Sequence, residues 1–215
     1  MKTAIFDLDG TLADTLTDLA DAVNYGLKRL GYPEHPYESY NYFVGNGVQR
    51  LCFNALPEDK KDETEKLLEL FREYYNEHFL DKTALYSGIR EALAKLRDNG
   101  VQLAVATNKP QEYATAIVCR LLTEFDFVRI LGSNEKRPRK PDTAILVEIL
   151  AALPDEENKV YMIGDSDVDI LTGNNAGIDT IGCVWGFRGR EELEAAGAGF
   201  IAETPEDITR IILGE

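Results

Sequence analysis

Five short apolar runs, separated by longer stretches with helical periodicity, constrain the fold of this 215-residue chain more than any other feature. The runs span residues 3–8, 101–106, 127–131, 160–163 and 179–184. Helical stripes of apolar residues occur between or after them, at 89–96, 145–153 and 208–212. Because parallel strands need helical crossovers and are covered on both faces, this alternation predicts an α/β fold with a parallel sheet.

The stretch from about residue 15 to about residue 81 breaks the alternation, because it contains no strand pattern. One predicted helix there has an apolar stripe formed by Leu16, Leu19, Ala20, Val23, Leu27 and Leu30. A second long helix is predicted from Leu67, Leu68, Phe71, Tyr75 and Phe79. A crossover between strands needs only one helix, so we expect an all-helical insertion over 15–81 and an α/β unit formed by 1–14 and 82–215.

The charge balance limits the possible partners. The chain carries 23 Lys and Arg against 38 Asp and Glu, a formal net charge of −15, and an acidic surface disfavours nucleic acid and anionic membranes. No apolar run approaches the roughly 20 residues that span a bilayer, and Asp7 and Asp9 interrupt any N-terminal signal-like stretch. Cys52, Cys119 and Cys183 form no Cys-x-x-Cys pair, so we expect unpaired, buried thiols in a reducing compartment. These features predict a soluble, cytoplasmic protein.

Polar side chains cluster where the predicted strands end. They are, in chain order, Asp7, Asp9, Thr107, Asn108, Lys140, Asp165 and Asp169. In an open α/β sheet these strand ends form the edge that binds ligands. Gathered carboxylates repel one another and need a cation. The only histidines, His35 and His78, fall in the helical insertion, so the oxygen-rich set favours Mg²⁺ over zinc.

Four motifs occur in a fixed order: Asp7-Leu8-Asp9-Gly10-Thr11, Thr107-Asn108-Lys109, Lys140-Pro141 and Gly164-Asp165-Ser166-Asp167-Val168-Asp169. Together they resemble the haloacid dehalogenase-like hydrolase superfamily, in the branch of phosphoglycolate phosphatases, over essentially the whole chain. The resemblance implies a Rossmann-like three-layer core with a parallel sheet and an inserted α-helical cap. The segment Lys140-Pro141-Asp142-Thr143 departs from the Lys-Pro-x-Pro that is usual in this family.

The resemblance also implies roles for the aspartates. Asp7 would be the nucleophile that forms an aspartyl-phosphate, and Asp9 would be the general acid and later the base. Mg²⁺ would be held by the side chains of Asp7 and Asp165, by the backbone carbonyl of Asp9, and by Asp169 directly or through water. Dehalogenases of this superfamily lack an acid at the position of Asp9, so its presence favours phosphoryl transfer.

Further residues are implied to bind the substrate. The Thr107 hydroxyl, with help from Asn108, would donate to the phosphoryl group, and Lys140 would pair with it and with the nucleophile. The segment Gly45-Asn46-Gly47 resembles the glycine-rich cap loop of phosphoglycolate phosphatases. Arg50 either binds a carboxylate on the leaving group or lies exposed at a helix start, and the sequence leaves both open.

The predicted activity is that of a Mg²⁺-dependent phosphatase acting on a small phosphorylated metabolite. Alternatives on the same site are a pyrophosphatase, a 5′-nucleotidase, another sugar-phosphate phosphatase, or a mutase of the β-phosphoglucomutase type. A non-catalytic binding protein is a further alternative, although every expected catalytic position is filled. The sequence leaves open whether the chain is a monomer or a homodimer.

Overall fold

A computed structural model of the chain describes residues 1–154 and 158–215. Its strands are β1 (Lys2–Phe6), β2 (Ala13–Asp14), β3 (Ala84–Leu85), β4 (Gln102–Pro110), β5 (Phe127–Ser133), β6 (Lys159–Gly164), β7 (Asp179–Cys183) and β8 (Phe200–Ala202). Within the described residues, six of them form one parallel sheet in the order β5-β4-β1-β6-β7-β8, and β2 pairs antiparallel with β3. The predicted parallel α/β fold is therefore confirmed.

Helices fill the connections between these strands. They are α1 (Leu16–Leu30), α2 (Tyr40–Phe43), α3 (Val48–Ala55), α4 (Thr64–His78), α5 (Ile89–Asp98), α6 (Gln111–Leu121), α7 (Ala144–Leu150), α8 (Asp167–Ala176), α9 (Arg190–Ala195) and α10 (Pro205–Leu213). Short 3₁₀ helices add Tyr37–Ser39 and Glu58–Glu63. Across residues 1–154 and 158–215, none of these helices combines the length and apolarity needed to cross a membrane.

Helices cover both faces of the large sheet, because successive residues of a strand point to opposite sides. In β1, Ala4 and Phe6 belong to the apolar cluster that includes α5, α6 and α10. Ile5, between them, belongs to the cluster on the other face, which includes α7. All three side chains are at most 1% exposed. The result is the three-layer arrangement that the resemblance implies.

The place of β1 in the sheet determines where a ligand can bind. Strand β1 lies between β4 and β6. The chain passes from β4 to the outer strand β5 on one side and then returns to β6 on the other side. A crevice opens at the carboxyl ends of strands where the winding reverses in this way. Asp7, the first residue after β1, stands at this crevice.

Helices α1, α3 and α4 pack around an apolar cluster of their own. Its buried members include Leu19, Val23, Leu27, Leu51, Leu67 and Phe71. The two chain segments that join these helices to the sheet pair as β2 and β3. The carboxylate of Asp18 secures this junction, because it accepts the N–H groups of Lys82 and Thr83 and the Thr83 hydroxyl. We therefore propose a cap formed by residues 15–81 and a core formed by residues 1–14 and 82–215.

Strands β2, β3 and β8 lie outside the five runs predicted from the sequence, and β4 is longer than its predicted run. Phe200–Ala202 forms β8 at the sheet edge, and its three residues are too few to show a periodic pattern. Strand β4 continues past Ala106 to Pro110, so the predicted polar residues after this run lie in the end of the strand itself.

The cysteines follow the sequence prediction in part. Cys52 and Cys183 are buried, free thiols, as expected. The prediction that Cys119 is buried is wrong, because it lies on the outer side of α6 and is exposed. The inner side of α6 is formed by Ile117 and Val118, which are buried against the sheet.

Candidate active site

Three buried carboxylates meet at the carboxyl edge of the sheet. Asp7 follows β1, Asp165 follows β6, and Asp169 lies in the first turn of α8. Each offers an oxygen, and these oxygens lie within 4.8 Å of one another. The start of α8 orients Asp169, because its Oδ2 accepts the Ser166 N–H at 3.2 Å and the Ser166 hydroxyl at 2.7 Å in a capping box. This all-oxygen donor set suits a hard divalent cation.

Lys140 places its ammonium group inside this carboxylate cluster. Its Nζ donates to Asp7 Oδ1 at 2.9 Å, to Asp169 Oδ1 at 2.5 Å and to the carbonyl of Ala106 at 2.8 Å. Asn108 holds the backbone of the same residue. Its Oδ1 accepts the Lys140 N–H at 2.9 Å, and its Nδ2 donates to the Lys140 carbonyl at 3.1 Å. Both the ammonium group and the backbone of Lys140 are therefore fixed by hydrogen bonds.

Burial alters the protonation of the cluster. Burial raises the pKa of Asp7 to about 7, while the Lys140 ammonium opposes this rise and the Asp169 carboxylate adds to it. Burial also raises the pKa of Asp165 well above its usual value, with Asp169 and Asp7 adding to the rise. Burial lowers the pKa of Lys140, but Asp169 and Asp7 outweigh it and the net pKa is raised. Additional positive charge would keep Asp7 and Asp165 ionised at neutral pH, so the residues fit a bound cation.

Asp165 lies against two glycines and accepts two hydrogen bonds. Its Oδ2 accepts the N–H of Phe187 at 2.7 Å, and its Oδ1 accepts the hydroxyl of Thr11 at 3.3 Å. A Cβ atom on Gly10, whose φ is +83°, would lie 2.2 Å from Asp165 Oδ2. A Cβ atom on Gly186 would lie 2.2 Å from the Cβ of Asp165. Only glycine at these two positions leaves room for this carboxylate.

Asp9 lies at the boundary between the core and the cap. Its Oδ1 accepts the hydroxyl of Thr15 at 2.7 Å and the ammonium of Lys109 at 3.0 Å. The same ammonium donates to the hydroxyl of Tyr75, on α4, at 2.8 Å. Burial lowers the pKa of Lys109, but Asp9 and Tyr75 outweigh it and the net pKa is raised. A permanent cation therefore joins the Asp9 carboxylate to the cap.

A cleft between the core and the cap opens onto these groups. The empty space within it, which includes open solvent at its mouth, is about 530 Å³. The cap contributes an apolar wall formed by Leu19, Val44, Val48 and Leu51. The core contributes the polar wall, which includes Asp7, Asp9, Thr107, Lys109, Asp165 and Arg188. The arrangement suits a small ligand with a polar, charged end directed at the sheet.

Three side chains of the core donate hydrogen bonds to backbone carbonyls of the cap segment 41–47. Asn108 Nδ2 and Arg139 Nη1 each reach one carbonyl, at 3.1 Å and 3.2 Å. Arg188 Nη2 donates to the Val44 carbonyl at 2.9 Å, and its Nη1 donates to a second carbonyl of the segment. Hydrogen bonds from the core therefore help to position the cap segment that borders the cleft.

Comparison with known proteins agrees with this geometry. The family model described as haloacid dehalogenase-like hydrolase matches residues 4–183, which contain all the strand-end carboxylates. The chain belongs to the haloacid dehalogenase-like hydrolase family. Phosphoglycolate phosphatases of Vibrio parahaemolyticus and Aquifex aeolicus are 30% and 31% identical to it, over 99% of this chain and 96% and 97% of their own lengths. A crystal structure from Lactobacillus delbrueckii subsp. bulgaricus, assigned as a phosphoglycolate phosphatase, has a TM-score of 0.92 at 34% identity and covers 99% of this chain and 98% of its own.

In this haloacid dehalogenase-like hydrolase, the strand-end residues that the sequence singled out lie together. Asp7, Asp9, Thr107, Asn108 and Asp165 all line the cleft. Lys140 and Asp169 lie behind them, joined to Asp7 through the lysine ammonium. The Thr107 hydroxyl oxygen accepts the Lys109 N–H at 3.2 Å. The Asn108 amide is engaged by the Lys140 backbone and by the Gly45 carbonyl, so it positions its neighbours as well as lining the cleft.

The cap residues singled out from the sequence divide into two groups. Gly45 and Gly47 line the cleft. Asn46 and Arg50 instead border a separate surface depression, together with Phe53 and Arg139. For Arg50 the reason is the periodicity of α3, which turns Val48 and Leu51 toward the cleft and leaves Arg50 exposed. The Arg50 guanidinium lies 4.8 Å from the centre of the Phe53 ring.

Two cations of the site lie outside the set predicted from the sequence. Lys109 belongs to a motif that the sequence analysis quoted, but its contact with Asp9 spans 100 residues and has no local signature. Arg188 follows the last predicted strand and lines the cleft. Its position after Trp185-Gly186-Phe187, at another strand end, is the one sequence signal that could have indicated it.

Proposed function

We propose that this chain is a Mg²⁺-dependent phosphatase that hydrolyses a small phosphate monoester through an aspartyl-phosphate intermediate, with phosphoglycolate as the first candidate substrate. The chain is a phosphoric monoester hydrolase, in keeping with its family and with relatives named phosphoglycolate phosphatase. The observation that carries the finer proposal is the placement of Asp7, which faces the cleft while Lys140 contacts it from within the carboxylate cluster.

Asp7 is the proposed nucleophile of the first step. One of its carboxylate oxygens forms a bond to phosphorus while the bond from phosphorus to the ester oxygen breaks. The electron pair of that bond passes to the ester oxygen, which takes a proton from Asp9 and leaves as an alcohol. Such proton transfer contributes about 10²–10⁴-fold to the rate. Lys140 keeps the nucleophile oriented, and the Thr107 hydroxyl, which lines the cleft, would donate to a phosphoryl oxygen.

Water completes the reaction in a second step. It attacks the phosphorus of the aspartyl-phosphate and gives its proton to Asp9, which is now a carboxylate. The bond between phosphorus and Asp7 breaks, and inorganic phosphate and a free Asp7 carboxylate result. The side chains of Asp7, Asp165 and Asp169 and the backbone carbonyl of Asp9 would hold Mg²⁺, which supplies charge neutralisation for the phosphoryl oxygens.

The charges around the cleft favour an anionic leaving group. Lys109 and Arg188 both line the cleft. Lys109 contacts Asp9, and Arg188 contacts the cap segment 41–47. The field of two cations attracts a carboxylate, and phosphoglycolate carries one on its leaving group. Because the whole chain has a net charge of −15, capture of such a substrate depends on these local cations and on the bound metal.

The test is a panel of phosphate esters assayed with Mg²⁺ and with a chelator. The panel contains phosphoglycolate, pyrophosphate, nucleoside 5′-monophosphates and sugar phosphates, and glucose 1-phosphate with product analysis tests a mutase. We expect phosphate release that needs Mg²⁺ and is abolished in Asp7→Asn and Asp165→Asn. Asp167→Asn is the matched control, because this residue lies in the same motif but outside the carboxylate cluster.

Two results would contradict the proposal. Phosphate release that persists in Asp7→Asn would show that Asp7 is not the nucleophile. Phosphate release that is unaffected by a chelator would show that the reaction does not need Mg²⁺. A clear preference of at least tenfold in kcat/KM, or about 1.4 kcal/mol, for another member of the panel would keep the mechanism and change the substrate. A cytoplasmic location remains a prediction of the sequence.

A further inference from the structure

We propose that Lys109 and Tyr75 are positioning residues for Asp9, and that contact between the cap and the core thereby orients the general acid. The inference rests on the proposed function, because it takes Asp9 as the group that protonates the leaving oxygen. It goes beyond that function by assigning a task to a lysine–tyrosine pair that neither attacks phosphorus nor binds the metal.

The Asp9 carboxylate is held by donors on two sides. Thr15, at the start of the cap, donates its hydroxyl to Oδ1 at 2.7 Å. Lys109, at the end of β4, approaches both carboxylate oxygens, at 3.0 Å from Oδ1 and 3.3 Å from Oδ2. The Lys109 side chain is 2% exposed, so water competes little for its ammonium group. Together these contacts restrict rotation of the carboxylate.

The Tyr75 hydroxyl positions the Lys109 ammonium. Its hydroxyl accepts a hydrogen bond from Lys109 Nζ at 2.8 Å. Burial raises the pKa of Tyr75 to about 12, so the phenol is neutral and can act as this acceptor at neutral pH. The ring is fully buried on α4, stacked on Phe71 at 4.8 Å between ring centres and in edge contact with Tyr113 at 4.9 Å. A rigid cap side chain thus fixes one of the lysine's hydrogen bonds.

The Lys109–Tyr75 pair connects the docking of the cap with the orientation of Asp9, two events that must coincide in catalysis. Asp9 follows β1 in the core, whereas Tyr75 belongs to the cap, and Lys109 contacts both. When the cap is docked as it is here, the ammonium is held against Asp9. Without the Tyr75 hydroxyl, the lysine chain regains rotamers and the carboxylate loses a fixed neighbour, so fewer substrate complexes have the acid aligned with the ester oxygen.

Substrates with different leaving groups separate this role from a general loss of structure. An alkyl ester with an uncharged leaving group, such as ethyl phosphate, leaves as an alkoxide and needs protonation, whereas p-nitrophenyl phosphate leaves as a stable anion and needs little. The ratio of kcat/KM for the two esters therefore reports on Asp9 in the step that breaks the ester bond. Activity toward the aryl ester also reports whether a variant is folded.

The decisive variants are Tyr75→Phe and Lys109→Met. We expect the alkyl-to-aryl ratio to fall about tenfold in Tyr75→Phe and further in Lys109→Met, within the ~10²–10⁴-fold range of a lost general acid. Tyr113→Phe is the matched control. Its hydroxyl also joins the core to the cap, through Asn76 Oδ1 at 2.5 Å, but does not contact Lys109. We expect its ratio to stay within about twofold of the wild-type ratio.

Asp9→Asn separates a failure of this inference from a failure of the proposed function. If Asp9→Asn lowers the alkyl-to-aryl ratio and Tyr75→Phe and Lys109→Met leave it unchanged, Asp9 is the acid and the positioning role is refuted. If Asp9→Asn itself leaves the ratio unchanged, the proposed acid is refuted and the positioning role with it. An equal fall of the ratio in Tyr75→Phe and Tyr113→Phe would assign the effect to cap docking in general, which also overturns the positioning role.

Discussion

Replacing Lys140 by methionine removes the only protein cation in direct contact with the carboxylate cluster, among the residues that the structure describes. The lysine side chain is 2% exposed, and its two partners Asp7 and Asp169 are 12% and 1% exposed. Methionine fills similar space but leaves both carboxylates without an ammonium donor. Removing one partner of a buried ion pair costs about 3–5 kcal/mol, because the remaining charge is buried and uncompensated. We expect a loss of this size in the free energy of unfolding of Lys140→Met.

The measurement is urea unfolding at pH 8 in a chelator, followed by the fluorescence of Trp185. This single tryptophan lies next to the site, and its Nε1 donates to the carbonyl of Thr11 at 3.1 Å. Lys159→Met is the matched control, because its ion pair with Asp179 is exposed, with side chains 57% and 40% accessible. Exposed pairs contribute about 0–1 kcal/mol, so the control should lose no more than that.

Equal losses in the two variants would refute the reasoning, because they would mean that the buried carboxylates do not need Lys140. A gain in stability in Lys140→Met would refute it too. The same variant should also lose activity with Mg²⁺ present. We expect kcat/KM to fall by about 10²–10³-fold, the usual effect of removing one charge-stabilising group from an active site.

Three further predictions concern other parts of the site. Gly10→Ala should cost the strain of a left-handed backbone, roughly 1–2 kcal/mol, and should also weaken Mg²⁺ binding because its Cβ would lie 2.2 Å from the Asp165 carboxylate. Gly100→Ala is the control, because Gly100 has a similar φ of +73° but a Cβ added there would meet open space. Calorimetry should show only the cost of backbone strain for this variant, and Mg²⁺ titrations should show no change. Arg188→Ala should raise KM about tenfold, or about 1.4 kcal/mol, and should speed hydrogen exchange in the cap segment 41–47; unchanged exchange rates there would contradict its role in holding the segment. In a chelator, the contribution of Asp7 to the free energy of unfolding should fall as the pH rises from about 4 to about 7. Burial raises its folded-state pKa from 3.8 to about 7, so the folded protein binds a proton that the unfolded chain has released. Urea titrations at several pH values should show this slope, and Asp7→Asn should reduce it.

Much of the core could be predicted because its signals are local. The alternation of apolar residues in β1 buries Ala4 and Phe6 on one face and Ile5 on the other, and the same alternation is visible in the printed sequence. The turn into α8 begins with a capping box formed by Ser166 and Asp169, which is a short-range pattern. Such features depend on neighbours within a few residues, so the sequence alone indicates them.

The short edge strand β8 and the exposed Cys119 show where local signals fail. Three residues carry no usable period, so Phe200–Ala202 is identified as a strand only by its pairing with β7. A cysteine is often buried, and only the orientation of α6 against the sheet shows that Cys119 lies on its outer side. Both outcomes depend on partners that are distant in the chain.

By itself, the sequence determined the parallel α/β core, the absence of a predicted strand over 15–81 and the gathering of Asp7, Asp9 and Asp165 at one edge, because strand ends of one sheet must lie together. Only the tertiary structure decided which cations face the cleft. Arg50 turns outward with the face of α3, while Arg188 reaches the cleft from the core. These placements follow from how the cap docks on the sheet, which depends on packing between segments that are far apart in the chain.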